Sequence, residues 1–108
     1  MQSTVILCVE KGDGQMPKMI KQYKHAQLVS VEKLSDMEYQ KWMWREMFVG
    51  YIGIFSILES ENKYPGKRYL HLSDMHEYIT TGYGEYEIKD NFITHTTRNS
   101  RYVFKILE

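Results

Sequence analysis

The sequence predicts an α+β domain in which one main helix packs on a curled antiparallel β-sheet that ends in a C-terminal β-meander. Two observations carry this reading. From Arg68 onward, residues 69–72, 78–81, 85–89, 92–97 and 101–107 are short segments rich in Thr and Tyr, separated by turn signals. Asp90-Asn91 and Asn99-Ser100 fall between such runs at hairpin spacing, and Asn and Asp tolerate the left-handed conformation that tight hairpins demand. Upstream, Ser35-Asp36-Met37-Glu38 has the spacing of a capping box. Tyr39, Met43 and Met47 then recur at i, i+4 and i+8, with Trp44 and Phe48 beside them, so a helix is predicted over 35–49, stopping at Gly50.

The remaining elements follow from pattern and punctuation. Residues 4–9 form an apolar run with β-branched members, the pattern of a strand buried on both faces. Gly12, Gly14 and Pro17 then end any regular ladder. Residues 18–25 place Met19, Ile20 and Tyr23 opposite Lys18, Lys21 and His25 on a helical wheel, which predicts a short helix. Residues 27–33 alternate as a strand does. Residues 51–58 are β-branched and aromatic and are expected to be the central strand, with Gly53 admitting close backbone approach or a bulge. Tyr64-Pro65-Gly66 is a surface turn. The helix is expected to lay Tyr39, Met43, Trp44, Met47 and Phe48 against five or six strands, curled or barrel-like.

With 108 residues, 43% of them apolar, the chain has material for one core, so residues 1–108 are read as a single domain. Basic and acidic side chains number 14 each, and no segment departs far from balance, so there is no net field to seek a polyanion or an anionic membrane. Cys8, the one cysteine, sits in an apolar run as a small hydrophobe, which favours a reducing compartment. There is no basic leader followed by a long apolar stretch, and residues 47–58 are too short and too interrupted by Gly to span a bilayer. A cytoplasmic location is expected.

No spacing in the chain dictates a chemistry. His25, His71, His76 and His95 belong to no zinc-type array, so no metal or other cofactor is expected. His71 and His95 with Arg98 and Arg101 are the set that could serve a metal-independent ribonuclease, against the plainer reading of a solvated sheet face. Gly12, Gly14 and Lys18 miss the order of a phosphate-binding loop. Lys18, Lys21, Lys24 and His25 around Tyr23 could meet nucleic acid, or form the wet side of an amphipathic segment. Tyr83, Tyr86, Arg98, Arg101 and Tyr102 fall in one meander and have the composition of a protein interface, with cross-strand stabilisation as the alternative. No catalytic residue is assigned.

The last hairpin, Ile93-Thr94-His95-Thr96-Thr97-Arg98-Asn99-Ser100-Arg101-Tyr102-Val103-Phe104, resembles the ending of small accessory proteins of bacteriophages and mobile elements: a Thr-rich strand, an Asn-Ser turn and a strand beginning near a Tyr. The resemblance implies a non-enzymatic binding protein, including inhibitors of host defence of the anti-CRISPR kind, acting by steric occlusion of a partner protein. Such inhibitors are frequently acidic, and this chain is neutral, which argues against DNA mimicry. The expected partner is therefore a protein; a small ribonuclease and a nucleotide or nucleic-acid binder are the alternatives.

Overall fold

The structure is a computed structural model that describes residues 17–61 and 65–108. The expected strand at 4–9, with Cys8, and the Gly12–Gly14 loop lie outside the described residues, as does Tyr64 of the expected surface turn. Within that turn Gly66 has the positive φ of 82° that glycine adopts without cost.

Over the described residues the protein is mostly an antiparallel β-sheet with one short helical segment. Its strands are β1 (Lys18–Lys33), β2 (Ile52–Glu59), β3 (Arg68–Ser73), β4 (Tyr78–Thr80), β5 (Gly84–Lys89), β6 (Phe92–Thr97) and β7 (Ser100–Ile106). Neighbours run β2-β1-β7-β6-β5-β3-β4, and β2 also pairs with β3. The sheet therefore closes into an up-and-down barrel, the architecture that removes most exposed edges. Every meander segment expected from the sequence is present. One turn is shifted: β6 and β7 are joined by Arg98-Asn99, and Ser100 already belongs to β7. Thr97 fixes this turn, its Oγ1 accepting the Ser100 N–H at 3.1 Å. At the other hairpin Asp90 takes φ 57°, as a tight turn at that site requires.

The helix expected over 18–25 is instead the first half of the 16-residue strand β1. Two turns of helix are too few to outweigh the cost of nucleation. As a strand, the segment gains a full ladder with β2, from Lys18 opposite Glu59 to Gln27 opposite Ile52. The predicted strand at 27–33 is the second half, which pairs with β7 from Ala26 opposite Ile106 to Lys33 opposite Ser100. The residues 51–58 expected as a central strand form β2, flanked by β1 and β3. Gly53 does permit close approach, since a Cβ there would lie 2.4 Å from the Ser73 carbonyl oxygen. Gly84 serves the same purpose at the start of β5, between β3 and β6: a Cβ there would meet the Thr96 carbonyl oxygen at 2.0 Å.

The interior is filled by the inward residues of each strand, among them Leu28, Phe55, Ile57, Leu70, Leu72, Ile93 and Phe104. Phe55 and Phe104 meet with ring centroids 4.6 Å apart.

The predicted main helix is reduced to α1 (Tyr39–Trp42) followed by a 3₁₀ turn, Met43–Phe48. No side chain caps it; Ser35 Oγ accepts the Met37 N–H at 3.2 Å in a local turn instead of closing a capping box. The change of winding alters which residues face inward. In a 3₁₀ helix i and i+3 eclipse, so Trp42, Arg45 and Phe48 share the inner face. Trp42 is 1% exposed and donates its indole N–H to Ser100 Oγ at 2.8 Å, closing one end of the barrel. Arg45 Nε donates to Tyr102 Oη at 3.3 Å, and Phe48 packs against the core. The expected stripe of Tyr39, Met43, Trp44 and Met47 is left facing outward, with Trp44 41% and Met47 78% exposed.

The two tryptophans should therefore respond oppositely to truncation. Trp42→Ala is expected to cost about 3–5 kcal/mol, the transfer and cavity terms of a buried aromatic. Trp44→Ala should cost about 1 kcal/mol or less, as a substitution away from the core. Urea denaturation of both variants measures the contrast, and equal losses would contradict the inward role given to Trp42.

Candidate functional site

The barrel interior and the barrel wall offer different chemistry. Inside, Tyr86 on β5, His95 on β6 and Tyr102 on β7 stand opposite one another and share the inner face. His95 is fully buried, and its Nε2 lies 3.1 Å from the Gly82 carbonyl oxygen, so Nε2 must carry the donating proton. Its Nδ1, left as an acceptor, has no hydrogen-bond partner. Burial pushes the His95 pKa down, opposed by the Gly82 hydrogen bond and by Glu85. His71 alternates with the inward Leu70 and Leu72 and so faces outward, with its Nδ1 2.7 Å from Thr80 Oγ1. The barrel wall thus separates His71 from His95, and the pair does not converge on one scissile group. His76 lies in the exposed turn after β3. Among the described residues no group of three or more His, Cys, Asp or Glu is placed to hold a metal ion.

The five residues read from sequence as an interface do not form one face. Tyr102 is 2% exposed, and Tyr86 is partly buried against the core with the Arg68 guanidinium 5.6 Å from its ring centroid. Arg101 faces outward and donates to Glu32 Oε1 at 2.9 Å. Arg98 is at the exposed β6–β7 turn, and Tyr83 packs edge-on to Tyr69 at 5.5 Å. Alternation alone separates Arg101 from Tyr102, because adjacent strand residues point to opposite faces.

What the structure does bring together is an apolar surface from the 3₁₀ turn to β2 and β3. Trp44 meets Phe48 edge-on at 6.2 Å, and Phe48 meets Tyr51 at 5.5 Å. Arg45 lies 4.6 Å over the Trp44 ring. The Tyr51 hydroxyl donates to the Glu77 carbonyl and accepts the Asp74 N–H at 3.1 Å, tying the 74–77 turn to this surface. Beyond it, Ile52, Ile54, Met75, Asp74 and His25 line an open groove of about 530 Å³, in which Met75 is 93% exposed. A second hollow of about 320 Å³ continues it past Ile54 to Gln22, Lys24 and His25.

The electrostatics of this surface are set by the 74–77 turn. Asp74 Oδ1 accepts the N–H groups of Glu77 at 2.9 Å and His76 at 2.7 Å. Those hydrogen bonds, Glu77's first, with the Tyr51 hydroxyl, hold the carboxyl at about 2. Burial, then the neighbouring Asp74, pushes the Tyr51 phenol up to about 12. The His25 ring lies 2.8 Å from the Glu108 carboxylate. One fixed anion and one His–Glu pair therefore rim an otherwise greasy surface.

Part of this surface was visible in the sequence as the stripe of Tyr39, Met43, Trp44 and Met47, but as core rather than as surface. Met75 gave a weaker signal, a large apolar residue inside the polar Ser73-Asp74-Met75-His76 turn.

Among the described residues no helix is long and apolar enough to cross a membrane. Compared with family models, with curated proteins and with solved structures, the chain matches none.

The buried imidazole makes stability depend on pH. Because the folded state depresses the His95 pKa, the unfolded chain takes up a proton first as pH falls below about 6.5. Stability is present above that value and is lost as pH falls toward the folded pKa. His71, whose pKa burial also depresses, acts in the same direction. Asp74 acts in a separate window, lost as pH falls from 3.8 toward 2. His95→Leu should flatten the dependence between about pH 7.5 and 5 without abolishing it, since His71 remains. Urea midpoints measured across that range test this, and an unchanged slope in the variant would remove His95 from the account.

Proposed function

We propose that this protein works by binding another protein on its outer wall and blocking that partner sterically. This is the mode of action expected of a small accessory protein of phage or mobile-element type, inhibitors of host defence included. The observation that carries the reading is an apolar surface on which the exposed Trp44, Ile52, Ile54 and Met75 are linked by the half-buried rings of Phe48 and Tyr51. Exposed apolar surface that is contiguous, as opposed to scattered, marks interaction sites. Its composition is that of an interface centre: Trp, Tyr, Met and a neighbouring Arg are the residues enriched there, and charge is confined to the rim. The interior, by contrast, is filled with side chains and offers a partner nothing to reach. A ribonuclease through His71 and His95 is disfavoured because the two lie on opposite faces of the wall.

The test compares the wild-type chain with a Trp44→Ser/Met47→Ser double variant, each tagged and incubated with bacterial lysate. Wild type should retain a stoichiometric protein partner through nuclease treatment. The variant should lose it by about tenfold or more, a change of about 1.4 kcal/mol, with its urea midpoint unchanged. Equal capture by both chains, or recovery of nucleic acid alone, would overturn the assignment.

A further inference from the structure

The groove beyond Tyr51 has an apolar floor and a charged wall. Its floor is sheet: Ile52 and Ile54 stand exposed on the outer face of β2, and Ile54 is paired with Ser73 of β3. Its wall is the 74–77 turn, which contributes the almost fully exposed Met75 and the carboxylate of Asp74. His25 comes from β1 and Asp74 from the end of β3, so the two flank β2 from opposite sides. The volume of about 530 Å³ falls within the range of clefts that lodge a ligand-sized group, roughly 300–1,000 Å³.

Asp74 gives the groove a sign. Its Oδ1 accepts the His76 and Glu77 N–H groups at 2.7 and 2.9 Å, while its own N–H reaches the Glu77 carbonyl at 3.0 Å and the Tyr51 hydroxyl at 3.1 Å. The carboxylate is thus fixed before anything binds, and a preset group loses little freedom when it is engaged. An ionised carboxylate has about four acceptor sites, and both turn N–H groups are on Oδ1, so capacity remains for a guanidinium or an ammonium. Glu77 adds a second negative charge on the same turn. At the other side His25 is already held by Glu108 at 2.8 Å, and the hollow past Ile54 carries Lys24, so the end that accepts a cation is the 74–77 turn. A fixed anion here repels a nucleic-acid backbone or an anionic lipid surface, and two copies docked groove to groove would set their Asp74 carboxylates against each other.

We propose that the groove of Ile52, Ile54 and Met75 holds a segment of the partner protein that presents a bulky apolar side chain beside an arginine or lysine, the apolar group on the isoleucine floor and the cation on Asp74. The inference rests on the protein-binding reading above and names what part of the partner this end of the surface takes. Tyr51 joins the groove to the rest of the surface, since its ring packs on Phe48 and its hydroxyl accepts the Asp74 N–H. Apolar burial supplies affinity, and the charge-assisted hydrogen bond supplies selection. A segment without the cation would cover Asp74 and leave its charge without a partner. Arginine suits the site better than lysine, because its planar fork matches a carboxylate bidentately.

The experiment selects random twelve-residue peptides, displayed on phage, against the immobilised full chain, and reads the enriched peptide with a fluorescein label by anisotropy and by amide shifts. Enriched sequences should share a bulky apolar residue with an arginine or lysine close by, and the shifts should fall on residues 52–54 and 73–77. Asp74→Asn keeps an oxygen for the turn N–H groups and removes the charge, so it should weaken binding by about tenfold. Ile54→Thr should weaken it by about fivefold or more through lost apolar contact. Replacing the peptide's basic residue by glutamine should cost the wild-type chain about tenfold and the Asp74→Asn chain little, the coupling that a double-mutant cycle reads. Absence of that coupling, enrichment of acidic peptides, or enrichment of none would overturn the proposal. Self-association that Asp74→Asn abolishes would overturn it in favour of a second copy. Shifts confined to residues 39–48 would overturn it and leave the protein-binding reading on Trp44 and Met47. Equal lysate capture by the wild-type and Trp44→Ser/Met47→Ser chains, with a coupled peptide still in the groove, would instead sink the wider surface and leave the groove as the contact.

Discussion

β1 has to serve two neighbours at once, and the rest of the barrel depends on how it does so. Across its 16 residues the register with β2 shifts between Met19 and Lys21 and again between Tyr23 and Ala26, and a third shift between Leu28 and Ser30 adjusts the pairing with β7. Bulges of this kind increase local twist, which a small barrel needs in order to close. Because β7 joins the strand only in its second half while β2 follows the first, the strands are strongly staggered around the wall. Among the described residues, the sheet closes through the pairing of β2 with β3.

The end of the barrel is governed by the winding of ten residues, four α-helical and six 3₁₀. With an α-helical period throughout, Tyr39, Met43 and Met47 would turn inward together. The tighter 3₁₀ period delivers Trp42, Arg45 and Phe48 in their place. Trp42 then fills the opening with its indole N–H satisfied by Ser100, as a buried Trp requires. The aromatic and Met side chains that do not go in remain on the outer wall, next to Tyr51 and the 74–77 turn. The barrel's plug and the proposed interface are therefore two faces of one short segment.

The C-terminal meander was legible residue by residue because its signals are local. Thr- and Tyr-rich alternation, with Asp90-Asn91 and the Asn99 turn, specifies strands without reference to anything distant. Two helical readings were not legible in the same way. Over 18–25 the apolar spacing fits either period, and only the ladder with β2, a contact more than thirty residues away, decides for a strand. Over 35–49 the i, i+4 stripe is real in the sequence, but the depth of the opening that Trp42 fills is a property of the closed barrel. The interface residues Tyr86, Arg101 and Tyr102 were grouped by proximity in sequence, which ignores that neighbours in a strand face opposite ways. The surface that replaces them is assembled from four separate stretches: residues 44–48, 51–54, 74–77 and 22–25.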